Sequence, residues 1–200
     1  IDGGKTWAKL TEGLPSDPET GAAALVIDPV NPEVLYASFW QRYRRPWVLM
    51  SGGPNSGIFK TTNGGKTWTK LTKGLPTGDM GRIGLAIARS NPKVLMAHVE
   101  HGFQPNCPQA GRGGGGGGGR GGQAAAPDPA CTDMTKLGAG MYRSEDAGAT
   151  WTLVDRYISR PFYYMQVGIS PLDDKYVFSY TINYRRSRDG GKTWTGGGGG

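Results

Sequence analysis

One short motif occurs four times in the 200-residue chain and constrains it more than any other feature. The copies are Asp2-Gly3-Gly4-Lys5-Thr6-Trp7, Asn63-Gly64-Gly65-Lys66-Thr67-Trp68, Asp146-Ala147-Gly148-Ala149-Thr150-Trp151 and Asp189-Gly190-Gly191-Lys192-Thr193-Trp194. A hydroxyl residue, Thr61, Ser144 or Ser187, stands two positions before the last three. An Asp or Asn side chain can accept hydrogen bonds from N–H groups two or three residues on, which closes a tight turn. The glycine two positions later takes a positive φ at little cost. Thr and Trp then open a strand. Asp2, Gly4, Trp7, Asn63, Gly65, Trp68, Asp146, Gly148, Trp151, Asp189, Gly191 and Trp194 are therefore expected to be structural, and no acid of these boxes is expected to be catalytic. The four Trp are expected to be equivalent and to pack at the periphery.

A second repeat lies between the boxes. Residues 24–37, 85–97 and 167–178 each read as strand, Asn/Asp/Pro turn, strand. A third strand precedes each box, at 57–60, 140–143 and 182–185, and the box Trp opens a fourth. The boxes are 61, 83 and 43 residues apart. Setting aside residues 104–137 shortens the long interval to about 49, near the 40–50-residue period of a propeller blade. The expected fold is all-β, a β-propeller fragment of about three four-stranded antiparallel blades with each box in the turn between third and fourth strands. The blades are expected at 22–72, 83–155 with a low-complexity insertion at 104–137, and 165–195. Residues 1–21 would end a preceding blade, with 6–10 as its last strand. A propeller typically closes with four or more blades, so three read as an arc of a larger ring. Of 35 glycines, ten fall in 111–122 and five in 196–200; the rest are spread as turn punctuation, which argues for many short elements. The longest apolar run, 22–27, is too short to span a membrane.

The boxes resemble Asp-box, or bacterial neuraminidase, repeats. The chain as a whole is similar to the bacterial propeller proteins of the sortilin type (vacuolar sorting receptor-like), often labelled glycosyl hydrolases. Two stretches carry the closer likeness: Arg42-Tyr43-Arg44-Arg45-Pro46-Trp47 leading to Ser51-Gly52-Gly53-Pro54, and Arg160-Pro161-Phe162-Tyr163-Tyr164. The box is shared with sialidases, xyloglucan-cleaving hydrolases, photosystem assembly factors and sorting receptors, so it speaks for architecture rather than activity. The resemblance implies an exported protein, extracellular or periplasmic. In propellers the ligand face is usually the one opposite these boxes, built by the second-to-third-strand loops and the links between blades. There the loop at 40–56 offers Arg42, Arg44, Arg45 and Trp47, and the links offer Arg82, Arg160, Tyr163 and Tyr164. Arginine beside aromatic rings recognises carboxylates, sugar rings or peptide side chains. The same side chains could instead plug the ring or pack on a neighbouring domain.

Net charge is +7 and the isoelectric point is near 9.5. Such a balance suits nucleic acid, a membrane surface or acidic ligands. The charge gathers at Arg42, Arg44 and Arg45 and again at Arg185, Arg186 and Arg188, with no basic helix or lysine-rich tail. The tract 111–122, with Arg112 and Arg120, lacks the repeated arginine–glycine units and nearby aromatics of RNA-binding tracts. It reads as a flexible insertion, and no nucleic-acid partner is expected. His98 and His101 do not stand side by side on a strand, and two cysteines make no zinc site, so no metal or cofactor is expected. In an exported protein Cys107 and Cys131, on either side of the tract, are expected to form a disulfide; in a cytoplasmic one they would be free thiols. Three functions stay open: a non-catalytic propeller binding a protein, peptide or carbohydrate, with the remaining blades of a longer chain as its partners; a glycoside hydrolase, sialidase- or xyloglucanase-like; and a structural assembly factor. A sialidase would need an arginine cluster, a tyrosine nucleophile with a partnering Glu and an acidic proton donor, and no Glu sits beside a loop Tyr in such a pattern; a xyloglucanase-like enzyme would need paired carboxylates. Asp79, Glu100 and Asp155 are near the right face, but their sequence positions reveal no pairing.

Overall fold

The computed structural model describes residues 3–103, 129–158 and 161–196. Its described residues contain strands, turns and one 3-10 turn, Pro129–Cys131. The first blade holds β1 (Thr20–Ile27), β2 (Leu35–Arg45), β3 (Val48–Ser51), β4 (Gly57–Thr61) and β5 (Thr69–Leu71), in the order β1-β2-β4-β5 with β3 on the end of β2. The second holds β6 (Met80–Ile87), β7 (Leu95–His101), β8 (Gly140–Ser144) and β9 (Thr152–Asp155), in sequence order. The third holds β10 (Gln166–Ile169), β11 (Val177–Tyr180) and β12 (Tyr184–Ser187), with Thr195 bridging Arg186 where a fourth strand would lie. All pairings are antiparallel. β1, β6 and β10 are the inner strands, and β6 packs against both others.

The core lies between blades. Tyr36 and Ile58 of the first blade share one apolar cluster with Leu75, Ile83, Leu95, Tyr142 and Trp151. Met96 and Met141 of the second share another with Val177 and Trp194 of the third. The boxes shape this packing. In each, the hydroxyl accepts from the glycine N–H four residues on: Gly65 to Thr61 at 3.1 Å, Gly148 to Ser144 at 2.9 Å, Gly191 to Ser187 at 2.8 Å. The next N–H to the acid, from Gly64, Ala147 or Gly190, donates to Glu33, Lys93 or Lys175 in the first turn of the same blade, which ties the two turns of one face together. The box glycine is small because the preceding blade sits on it. A Cβ on Gly148 would stand 3.0 Å from Leu71 and 3.1 Å from Tyr36. One on Gly191 would stand 3.0 Å from Met96 and 3.2 Å from Val154.

The links between blades carry a repeat of their own. Leu10-Thr11-Glu12-Gly13-Leu14-Pro15 and Leu71-Thr72-Lys73-Gly74-Leu75-Pro76 match. Gly74, at φ +81°, lies so close to the backbone of Trp151 that a Cβ would meet its carbonyl oxygen at 1.9 Å, and Gly13 meets Trp68 in the same way at 2.0 Å. Glu12 and Lys73 accept the Trp68 and Trp151 N–H groups. Each link is thus laid against the start of the following blade's outer strand.

Four expectations change. Residues 6–10 form no strand: a strand needs a ladder partner, and none of the sheets among the described residues takes them in. Trp7 is 89% exposed, whereas Trp68, Trp151 and Trp194 are buried; Trp68 packs with Ala37 and Phe59 of its own blade and Leu14 of the link, Trp151 joins Tyr36 and Ile58 of the blade before it, and Trp194 joins Met96 and Met141 of the blade before it. The end of the insertion, 129–137, is packed: Met134 and Leu137 join the core, and Arg156 donates to the Asp133 and Lys136 carbonyls. Residues 40–56 are not a loop but a projecting hairpin, residues 42–45 of β2 pairing with β3 alone. The glycine tract, Asp2 and Cys107 lie outside the described residues, so the expected Cys107–Cys131 bridge does too.

Candidate functional site

The face opposite the boxes carries an arginine–aromatic cluster spanning the first two blades and the link to the third. Trp40, on β2, meets Phe162 edge-on with centroids 5.1 Å apart. Phe162 in turn meets Tyr163 at 4.9 Å. The Arg42 guanidinium lies 5.3 Å from the Trp40 ring and 5.7 Å from Phe162. Arg44 is 6.0 Å from Phe162 and Arg82 is 5.8 Å from Trp40. Guanidinium groups near aromatic faces are attracted by the ring quadrupole. β2 places Arg42 and Arg44 on one side because side chains alternate along a strand.

A hydrogen-bonded brace holds the platform. Trp40 Nε1 donates to Ser51 Oγ at 3.1 Å, and Ser51 Oγ donates to Glu100 Oε2 at 2.7 Å. The same carboxylate oxygen accepts the Arg82 N–H at 2.8 Å. Arg82 Nη1 donates to the Phe162 and Tyr163 carbonyls, both at 3.1 Å, and so holds the link beside Trp40. Arg42 and Arg44 form no ion pair among the described residues. They border an open groove of about 710 Å³ whose other walls include Pro18, Glu19, Thr20 and Trp40.

The expected ligand residues therefore divide. Arg42, Arg44, Arg82 and Tyr163 come together. Tyr164 is half exposed beside Tyr163, with ring centroids 6.3 Å apart. Arg45 alternates to the other side of the ribbon, its Nε donating to Tyr43 Oη at 2.7 Å, yet it too borders the groove, and Trp47 projects at the hairpin tip. Arg160 lies outside the described residues. Trp40 and Phe162 are the centre of the cluster. Ser51 and Glu100, which brace it, were hidden because residues 40–56 read as a loop, and a loop has no register to set Ser51 against its neighbours.

Two of the three carboxylates expected near this face are engaged elsewhere. Asp155 pairs with the buried Arg185 at 3.0 Å; burial pushes its pKa up, against the pull of that arginine. Glu100 holds the brace, and Asp79 is exposed. A further buried polar group is His98, whose Nε2 lies 2.9 Å from the Tyr157 carbonyl and whose Nδ1 has no partner among the described residues. Among those residues no group of three or more His, Cys, Asp or Glu could hold a metal ion.

No protein-family model and no curated protein sequence matches the chain. Solved structures do. The GH74 xyloglucanase from Xanthomonas campestris superposes with a TM-score of 0.60 at 17% identity, over 96% of this chain and 23% of that one. The Niastella koreensis GH74 enzyme gives 0.50 at 17%, over 88% and 22%. YCF48 bound to D1 peptide gives 0.50 at 14%, over 92% and 44%. The chain thus spans under a quarter of the GH74 structures it matches. At these identities the likeness speaks for the fold, and with the three antiparallel sheets above it makes this chain a fragment of a β-propeller.

Proposed function

We propose that the chain is part of a non-catalytic binding propeller, an Asp-box protein of the sortilin-like kind that is exported and takes its ligand on the face opposite the boxes. The observation that carries this reading is the pair Arg42 and Arg44. Two guanidinium groups stand over an aromatic platform, beside an open groove, with no acidic partner among the described residues. A planar guanidinium matches a carboxylate fork bidentately, and Trp40 and Phe162 offer apolar surface next to it. The ligand chemistry this suits is a polypeptide presenting a carboxylate beside an aromatic or aliphatic group. YCF48, a structural neighbour, is a propeller solved with a bound peptide, which supports a peptide ligand here. The GH74 neighbours raise the hydrolase alternative; against it, Glu100 and Asp155 are already held by Ser51, Arg82 and Arg185.

The test is binding of an acidic-peptide library by the full-length protein, with Arg42→Gln/Arg44→Gln as the comparison. Affinity for carboxylate-bearing peptides should fall at least tenfold in the double variant, since charge-assisted hydrogen bonds contribute about 1.5–3 kcal/mol each. Release of reducing sugar from β-glucans, or of sialic acid from sialosides, by the wild-type protein would overturn the reading.

A further inference from the structure

The hairpin beyond the first blade has a composition that the groove does not use. Past Gln41 the ribbon consists of the last residues of β2 and β3, joined through Pro46 and Trp47. Its tip exposes four consecutive large apolar side chains: Trp47 at 82%, Val48 at 42%, Leu49 at 52% and Met50 at 48%. A run of this kind on a surface is unfavourable unless something covers it. The register sets Arg45 opposite Val48 and Arg44 opposite Leu49. No acidic residue occurs between positions 41 and 54.

The distribution of the apolar groups says what kind of cover fits. Side chains alternate across a ribbon, so Val48 and Met50 point to one side and Leu49 to the other, with Trp47 at the turn. A folded protein partner would cover one side. An apolar continuum surrounds both. We propose that this hairpin is a membrane-contact element that seats on anionic phospholipid, its tip in the boundary between headgroups and acyl chains and Arg44 and Arg45 on lipid phosphates. The four tip residues span about 10 Å at 3.3 Å per residue, which matches the roughly 5–10 Å depth of interfacial insertion. Trp is favoured at that depth. Arginine stems can lie along the apolar layer while their heads reach the phosphates. The chain's net charge of +7 draws it to such a surface. This proposal shares Arg44 with the peptide-binding reading, since Arg44 and Arg45 also border the groove, but its apolar tip lies outside the groove, so the serine variant of the tip tells the two apart.

The experiment is co-sedimentation of the chain with vesicles of phosphatidylglycerol and phosphatidylcholine, against phosphatidylcholine alone, at about 0.1 M salt where charge attraction is only partly screened. The wild type should pellet with the anionic vesicles, and Trp47→Ser/Leu49→Ser and Arg44→Gln/Arg45→Gln should each lower partitioning at least tenfold while retaining the β circular dichroism of the parent. Brominated lipid should quench the fluorescence of the bound wild type, and Trp47→Phe should bind but lose most of that quenching. A wild-type chain that stays in the supernatant overturns the proposal and leaves the tip to a protein partner. Equal binding by the serine variant overturns it as well, because charge alone would then explain the pellet.

Discussion

The two faces of this blade array follow opposite rules. On the box face the same contacts recur: a hydroxyl-capped turn, a bond to the first turn of its own blade, and a glycine on which the preceding blade rests. Lys60 and Arg143, each just before the box hydroxyl, reach the following blade, Lys60 donating to the Ala147 carbonyl and Arg143 to Asp174. On the opposite face no two blades match. The first extends a hairpin, the second carries a long insertion, and the third turns directly from Tyr180 to Tyr184. Repetition is what inter-blade packing requires, because every interface must solve the same geometric problem. Cations without acidic partners and exposed aromatics are tolerated where no such demand acts, and there a binding site can vary without disturbing the ring.

The largest expected effect breaks the equivalence of the boxes themselves. Trp151→Ala should cost about 3–5 kcal/mol, the usual loss for a large buried aromatic, whereas Trp7→Ala should change stability by under about 0.5 kcal/mol, as at exposed sites generally. Chemical denaturation of the two variants measures both. Similar losses would mean that Trp7 is packed in solution and that the boxes are energetically alike.

The next effect sharpens the contrast within the second-to-third blade interface. His98 occupies the place that Ser38 fills in the first blade, where the serine hydroxyl donates to the Ile83 carbonyl at 2.7 Å. Burial pushes the His98 pKa down to about 4; its contact with the Tyr157 carbonyl opposes that shift and the charge of Arg185 adds to it. The unfolded chain titrates near 6.5, so below that pH it takes up a proton that the folded chain refuses. The His98 contribution is whole above pH 6.5, declines as pH falls, and levels off below about pH 4. Across that window the loss is on the order of 3 kcal/mol. His98→Gln should flatten the dependence between pH 6.5 and 4 relative to the parent; an unchanged slope would assign it to the carboxylates.

The sequence made the box face legible and left the other face half hidden, for a physical reason. Turns that need Gly at positive φ and Asp or Asn beside it leave a spaced signature, and Trp at a constant offset marks each outer strand. The link repeat around Gly13 and Gly74 has an equally strong signature, because a Cβ there would strike backbone. It announces inter-blade contact as clearly as the boxes do. The cluster of Trp40, Arg42 and Phe162 depends on residues about 120 positions apart meeting across blades, and residue types alone carry no such register. Its composition could be read; its brace through Ser51 and Glu100 could not.

The smallest expected effect tests whether the boxes are optimised or merely sufficient. Ala147 has φ +56° and is the one non-glycine at positive φ among the described residues, while its counterparts Gly64 and Gly190 sit at +69° and +77°. The left-handed region costs an alanine roughly 1–2 kcal/mol. Three bonds hold it there: its N–H donates to the Lys93 carbonyl, and the Tyr36 hydroxyl and Lys60 Nζ both donate to its own carbonyl, all at 2.8 Å. In the same box Trp151 Nε1 has no partner among the described residues, whereas Trp68 and Trp194 donate to Gly65 and Gly191. Ala147→Gly removes the strain but adds freedom to the unfolded chain, which takes back about 0.4–1 kcal/mol. The net should be a stabilisation of about 0.5 kcal/mol, visible as a higher denaturation midpoint with an unchanged slope. The reverse exchange, Gly190→Ala, adds the strain and a Cβ 3.2 Å from the Arg143 guanidinium; with the same unfolded-state term set against the strain, it should destabilise by about 0.5 kcal/mol or somewhat more. If Ala147→Gly destabilises instead, the alanine is favoured at that turn and the boxes do not share one backbone requirement.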